Sequence, residues 1–487
     1  MELHSQLSRP VRPGPVLLAL CGASFLAGLD LFVVNVAFDE IGADFSNTVA
    51  PQAPLRGHSL ADLSWILNGY AILYAALLIP LGRWADKVGR RRGFLLGLGL
   101  FVAASAACAL APNLWSLIGF RAAQAIGAAL LTPASLALIL TVLPAERRSA
   151  SVRIWAAAGA VAAAAGPVIG GILVAASWRW VFLINVPIGI AFLVLAARSI
   201  PESRDRDADH PDVLAAALLT AAVGALALAL VEGPDWGWSS AGVLGALAVA
   251  LVSGAAFWIR NGRGGAPILD PAMLRVRSFA WSNAAMLLFN AGFAAALLAT
   301  ILWMQTVWDY SALRTGMAIA PGPLMVPVFA IVAQRLSSRI DAGRIAALGC
   351  LLWGGGAVLV AASVGPDPAY ATQILPGWLI AGVGVGLALP TVLATATAGL
   401  PQDRAATGSA VVTMHRQIGA VVGISALVAI LGTPIGFDSA KTAFTHSWWS
   451  VAAVSVLAAG AALGITAQAP STDSPVHPTT ETAEALR

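Results

Sequence analysis

Asp30 sits inside the apolar run Leu29-Asp30-Leu31-Phe32-Val33-Val34-Asn35-Val36-Ala37. A charge in such surroundings is costly, so an acid kept there is either a working group or a packing side chain bonded to a neighbour. Desolvation favours its neutral form and a nearby cation its charged form, and an acid balanced between the two can load and release a proton. Arg121, in another apolar run, is the natural cation. A third feature is Gly82-Arg83-Trp84-Ala85-Asp86-Lys87-Val88-Gly89-Arg90-Arg91-Arg92, where one acid is fixed between two glycines in a basic stretch. His415, Arg416 and Gln417 form a polar cluster in a further apolar run, where Arg416 either snorkels or faces a cavity. Asn35, Asn68, Tyr70, Gln124, Asn290, Trp303, Gln305 and Trp378 are isolated polar or aromatic residues in apolar runs. Each reads as a cavity-lining side chain or as a satisfied interhelical contact.

Hydrolytic and metal chemistry find no frame. The chain has no H-E-x-x-H, no pair of acids within an apolar run and no Ser/His/Asp grouping. Cys21, Cys108 and Cys350 are far apart, each in an apolar block, and the histidines are scattered. No catalytic residue, metal site or cofactor is expected, and no enzyme. Leu18-Ala19-Leu20-Cys21 faintly resembles a lipoprotein cleavage site, but Leu20 is large where that site needs a small residue, so the block is read as a retained first span.

The elements that must hold these residues are membrane helices. Hydrophobic residues make up 58% of the 487 and charged residues 11%, against about 25% charged in soluble domains. The apolar residues come in blocks of roughly 20, enough to cross a hydrocarbon core of about 30 Å. The pattern predicts fourteen spans, near 15–38, 62–81, 93–111, 114–140, 151–175, 180–197, 212–231, 240–259, 281–305, 315–334, 345–363, 373–396, 407–431 and 448–468. With the N-terminus cytoplasmic, 22 of the 28 Lys and Arg fall in cytoplasmic segments and four in outer loops, so both termini are expected inside. The net charge of +4 and pI near 9.3 therefore reflect topology, with no nucleic-acid partner.

Two stretches share a register. Gly127, Pro133, Pro144, Arg147 and Gly166 recur 257 residues later as Gly384, Pro390, Pro401, Arg404 and Gly423. Spans four and five thus match spans twelve and thirteen, an offset of eight. Two six-span halves with two spans inserted between them account for it. The expected divisions are a tail 1–14, a first bundle 15–197, the insertion 198–278, a second bundle 279–468 and a disordered tail 469–487. On this register Trp378 stands where the first half has Arg121; in the corresponding stretch after span ten, Gln334-Arg335-Leu336-Ser337-Ser338-Arg339, Ser338 stands in for Asp86.

The Gly82–Arg92 stretch resembles the major facilitator signature G-x-L-A-D-R-x-G-R-[KR]-[KR], with Trp84 for the usual Leu. Arg121-Ala122-Ala123-Gln124-Ala125-Ile126-Gly127-Ala128 is similar to that superfamily's fourth-span R-x-x-Q-G-x-G-A. Gly166-Pro167-Val168-Ile169-Gly170-Gly171 resembles its antiporter motif G-P-x-x-G-G. Trp178 to Gly189 looks like the W-R-W-x-F-x-I-N-V-P-I-G run of fourteen-span drug:proton antiporters. Leu29 to Ala37 resembles their L-D-x-T-x-V-N-V-A, with Phe32 for the usual Thr. The resemblance spans about residues 15 to 468 and implies an all-α major facilitator fold of fourteen helices in a 6+2+6 arrangement.

It also implies a monomeric, multi-pass protein of the cytoplasmic membrane that exports lipophilic drugs, antibiotics or dyes by alternating access. The export would be driven by the proton-motive force, with protons and the bilayer as its other partners. The alternative is a proton-coupled importer of a small polar metabolite, which would need several charged or amide groups in mid-span. Asp30 and Arg121 are the expected coupling pair. Asp30 lies about 22 Å along its span, roughly 8 Å from the outer face, and Arg121 about 10 Å in from that face. Gly82, Asp86, Gly89 and Arg90 are the expected gate, with Asp86 facing the N-terminus of span thirteen near Thr407. Gly166, Pro167, Gly170 and Gly171 are expected to make a kink or a packing seam.

Overall fold

The computed structural model describes residues 12–47, 58–205, 210–263, 267–400, 404–432 and 436–465. Most of the expected N-terminal tail, the 469–487 tail and the repeat-matched Pro401 lie outside the described residues. Within them the chain is helical, with no strand. Fourteen helices are long and apolar enough to cross a membrane. They are α1 (Pro13–Val36), α2 (Leu60–Val88), α3 (Arg90–Ala109), α4 (Leu114–Val142), α5 (Ala145–Val174), α6 (Trp180–Ser199) and α7 (Val213–Trp236). They continue as α8 (Ala241–Arg263), α9 (Arg277–Val307), α10 (Ala312–Leu336), α11 (Ala342–Ser363), α12 (Leu375–Ala398), α13 (Thr407–Leu431) and α14 (Phe437–Leu463). Large apolar side chains stand exposed on the outside of the bundle, such as Leu251 at 75% and Leu457 at 61%. A soluble surface does not carry so many, and a lipid-facing one does.

Two boundaries differ most from the sequence reading. α14 begins at Phe437 rather than near 448. Its first turns carry Asp438, Lys441 and His446, which lower the local hydropathy without disturbing the helix, and Asp438 lies in the first turn, where an acid favours helix. α2 runs to Val88 instead of ending near 81, so most of the glycine-flanked basic stretch is helix.

The two halves repeat one packing plan. α1 packs on α5 and α6, as α9 packs on α13 and α14. α4 packs on α2 and α3, as α12 packs on α10 and α11, and α3 meets α6 as α11 meets α14. The repeat is visible at single contacts. A Cβ on Gly127 would lie 2.8 Å from the Gly97 carbonyl oxygen, and one on Gly384 2.5 Å from that of Gly349. Both crossings bring backbones together at a residue that must lack a side chain. α7 and α8 pack on each other, and α7 also touches α2 and α13, one helix from each half.

Candidate functional site

Asp30 is 1% exposed and Arg121 1% exposed, and they form a direct ion pair between Oδ2 and Nη1. The other carboxylate oxygen, Oδ1, accepts from Gln124 Nε2 at 2.9 Å and from Asn185 Nδ2 at 2.9 Å. Gln124 also accepts from Arg121 at 2.6 Å and donates to Ser105 Oγ at 2.7 Å. The Arg121 guanidinium lies 4.3 Å from the centre of the Tyr70 ring and 5.7 Å from that of Phe182. Side chains from α1, α2, α3, α4 and α6 thus close on one carboxylate. Burying an ion pair is costly unless further hydrogen bonds satisfy it, and this set supplies them. Asn185 and Ser105 were not singled out in the sequence. Asn185 lies within the Trp178–Gly189 run, which was the available signal; Ser105, in a run of small residues, gave none.

The remaining candidates separate. Asn68 donates to Ser425 Oγ at 3.1 Å, joining α2 to α13, and Gln305 donates to the Val36 carbonyl at 3.0 Å, joining α9 to α1. Asn35 and Asn290 bond back to their own helices, at Leu31 and Met286. His415 Nδ1 lies 2.9 Å from the Val411 carbonyl one turn below. Trp303 is fully buried among Trp308, Phe437, Phe444 and Trp448, within the packed second half rather than on a cavity. Trp378, 5% exposed, donates to the Ile319 carbonyl at 2.8 Å and packs 6.0 Å from Trp353. Tyr70 stacks on Tyr74 at 5.9 Å. Arg416 makes no hydrogen bond or ion pair among the described residues.

The halves meet along a seam at the end of the molecule away from Asp86. The Gly-Pro motif lies at its centre, in an unbroken α5. A Cβ on Gly171 would come within 2.6 Å of the Ala312 carbonyl oxygen, and one on Gly316 within 2.3 Å of that of Pro167. Gly166 packs against Phe32, whose ring meets Phe293 of the second half edge-on at 6.5 Å. The motif is therefore a packing seam. Near Asp86 the halves diverge around a cavity of about 90 Å³ lined by residues such as Gly82, Asp86, Pro133, Trp155, Thr407 and Thr413.

Asp86 shares this cavity with Thr407, but its bonded partner is Arg90, at 2.6 Å. Gly89 separates α2 from α3 with φ +137, a value that side-chain-bearing residues rarely adopt. Glu202 and Ser203, after α6, tie the turn down: Glu202 accepts from the Arg91 amide at 3.1 Å, and the Ser203 carbonyl from the Arg90 amide at 2.7 Å. At the opposite end, Trp178 and Arg179 both donate to Asp44. The Trp178 hydrogen bond first, then Arg179, hold the Asp44 carboxyl below its ordinary range against partial desolvation.

A two-bundle helical membrane protein, with a buried charge pair in one bundle and a cavity between the two, has the build of a transporter. Residues 20–424 match the Major Facilitator Superfamily, and the chain belongs to it. It is 31% identical to a methylenomycin A resistance protein of Streptomyces coelicolor, over 93% of this chain and 91% of that one. It is 32% identical to a cephamycin export protein of Amycolatopsis lactamdurans, over 88% and 87% of the two chains. Among solved structures, the POT family transporter PepTSo superposes with a TM-score of 0.66 at 15% identity, covering 93% of this chain and 98% of that one, a likeness of fold. The protein is thus a multi-pass transporter of the cytoplasmic membrane, not an enzyme.

Proposed function

We propose that this protein exports lipophilic small molecules in exchange for protons, its halves alternately opening a shared site to either side of the membrane. The observation that carries the reading is the buried Asp30–Arg121 pair, a place where a proton can exchange against a buried cation. With Asp30 ionised, Arg121, Gln124 and Asn185 hold it. A proton on Oδ2 cancels the attraction that keeps Arg121 there, so the guanidinium is free to shift while Gln124 and Asn185 keep the acid in place. Relatives named for methylenomycin resistance and cephamycin export support the substrate class.

The basic-residue asymmetry supports placing both termini and the Asp86 end in the cytoplasm. On that placement the cavity faces inward and the α5–α10 seam closes the outer side. The 6+2+6 arrangement and a monomer complete the reading, with α7 and α8 as the insertion. The importer alternative is less favoured, since Asn35, Asn290 and Gln305 each already give a hydrogen bond to a backbone carbonyl.

A drug-susceptibility panel in an efflux-deficient bacterial host tests this. Expression is expected to raise resistance to several lipophilic compounds, and a protonophore to abolish it. Unchanged susceptibility with the protein present in the membrane, or resistance indifferent to the protonophore, overturns it.

A further inference from the structure

We propose that Arg416 anchors an anionic group on the substrate, so that the transported compounds include lipophilic monoanions such as carboxylates and sulfonates. The inference rests on the export reading and narrows its substrate class. Arg416 lies nine residues into α13, about 13 Å from its start and too deep for the side chain to reach the interface. It differs from Arg121, which is paired with Asp30, bonded to Gln124 and covered by the Tyr70 ring. Arg416 has no hydrogen bond or ion pair among the described residues. An unpaired guanidinium in a membrane interior is costly unless something completes it.

Its position says what completes it. Ser409 and Thr413 line the cavity between the halves, and Arg416 follows them at helical spacing on the same face of α13. It is partly exposed and lies on the α13 face that carries Ser409 and Thr413. The Tyr74 phenol of the other half lies near it. Tyr74 bonds at 3.2 Å to Thr132, itself a cavity residue, and supplies no negative charge at neutral pH. His415, next in sequence, is turned onto the Val411 carbonyl. A planar guanidinium matches a carboxylate or sulfonate through two parallel hydrogen bonds. Tyr74 stacks on Tyr70, and Tyr70 covers Arg121. A bound anion therefore lies one stacked tyrosine pair from the Asp30 site.

The test uses two probes that share a ring system and differ by one sulfonate, 8-anilinonaphthalene-1-sulfonate and N-phenyl-1-naphthylamine. Binding to the full-length protein in nanodiscs is read by quenching of tryptophan fluorescence. Arg416→Gln is expected to weaken sulfonate binding about tenfold or more, with the neutral amine changed by less than about twofold. Arg416→Lys, which keeps the charge, is expected to retain a preference for the sulfonate. Unchanged sulfonate affinity in Arg416→Gln, or equal loss of both probes in a folded variant, overturns the proposal. If Arg416→Gln does not fold, Arg416→Met supplies the same uncharged comparison. Proton-driven export of the two probes from proteoliposomes separates this inference from its parent. Export of the amine with no Arg416-dependent anion preference sinks the anchor alone. Selective anion binding with no export of either probe counts against the export reading and leaves the anchor standing.

Discussion

The two halves fold alike and differ at the position where one carries Arg121 and the other Trp378. In the first half, the cationic residue meets Asp30, Gln124 and the Tyr70 ring. In the second, Trp378 gives its one hydrogen bond to the Ile319 carbonyl and packs on Trp353, which lies 5.2 Å from Phe293 and 6.0 Å from Phe289. One packing plan thus holds a charge pair on one side and an aromatic cluster on the other. Backbone crossings such as Gly97–Gly127 and Gly349–Gly384 set the fold, and the side chains facing inward are free to diverge.

Breaking the charge pair should have the largest effect on stability. Arg121→Gln leaves Asp30 uncompensated at full burial and is expected to cost about 3–5 kcal/mol. Adding Asp30→Asn should recover much of that loss, because no buried charge then stands alone. Thermal unfolding of purified single and double variants checks this, and a double variant showing the summed losses would place the two residues in separate environments.

On the other side of the comparison, Trp378→Phe keeps the aromatic packing and loses the bond to Ile319. It is expected to lower stability by about 1 kcal/mol with proton-driven export largely intact. Loss of coupling in this variant would mean that the second half takes part in proton chemistry.

The Asp86–Arg90 pair should show a smaller, kinetic effect. Asp86→Asn removes the pair with Arg90 and is expected to slow export several-fold while substrate affinity stays within about twofold. Equal loss of both would point to misfolding. The smallest effect is at Asp44. Its folded-state pKa is depressed, so its contribution is present above the ordinary carboxylate pKa of about 3.9 and is lost as pH falls through the lower folded value. Asp44→Asn should therefore be slightly less stable than wild type at neutral pH and indistinguishable from it in strong acid.

Much of this was legible because membrane helices announce themselves. Apolar blocks gave the fourteen spans, and the 257-residue register tied Gly127 to Gly384 at crossings that the fold makes equivalent. Counting rise per residue put Asp30 and Arg121 at similar depth, and they are in contact. What was hidden is side-chain direction. Gln124 was grouped with cavity residues, yet it is spent on Asp30, Arg121 and Ser105. Trp303 and Trp378 are both tryptophans in apolar spans, and composition does not tell a packed ring from a lining one. The start of α14 was masked by Asp438, Lys441 and His446, which a hydropathy reading assigns to a loop.

The central claim is that Asp30 carries the proton. It is tested most directly by imposing a proton gradient on proteoliposomes and following transport of a substrate against its own gradient. Wild-type protein should accumulate the substrate. Asp30→Asn, which mimics the protonated acid, should fail to do so while still permitting downhill exchange. Uphill transport by Asp30→Asn at the wild-type rate would contradict the account.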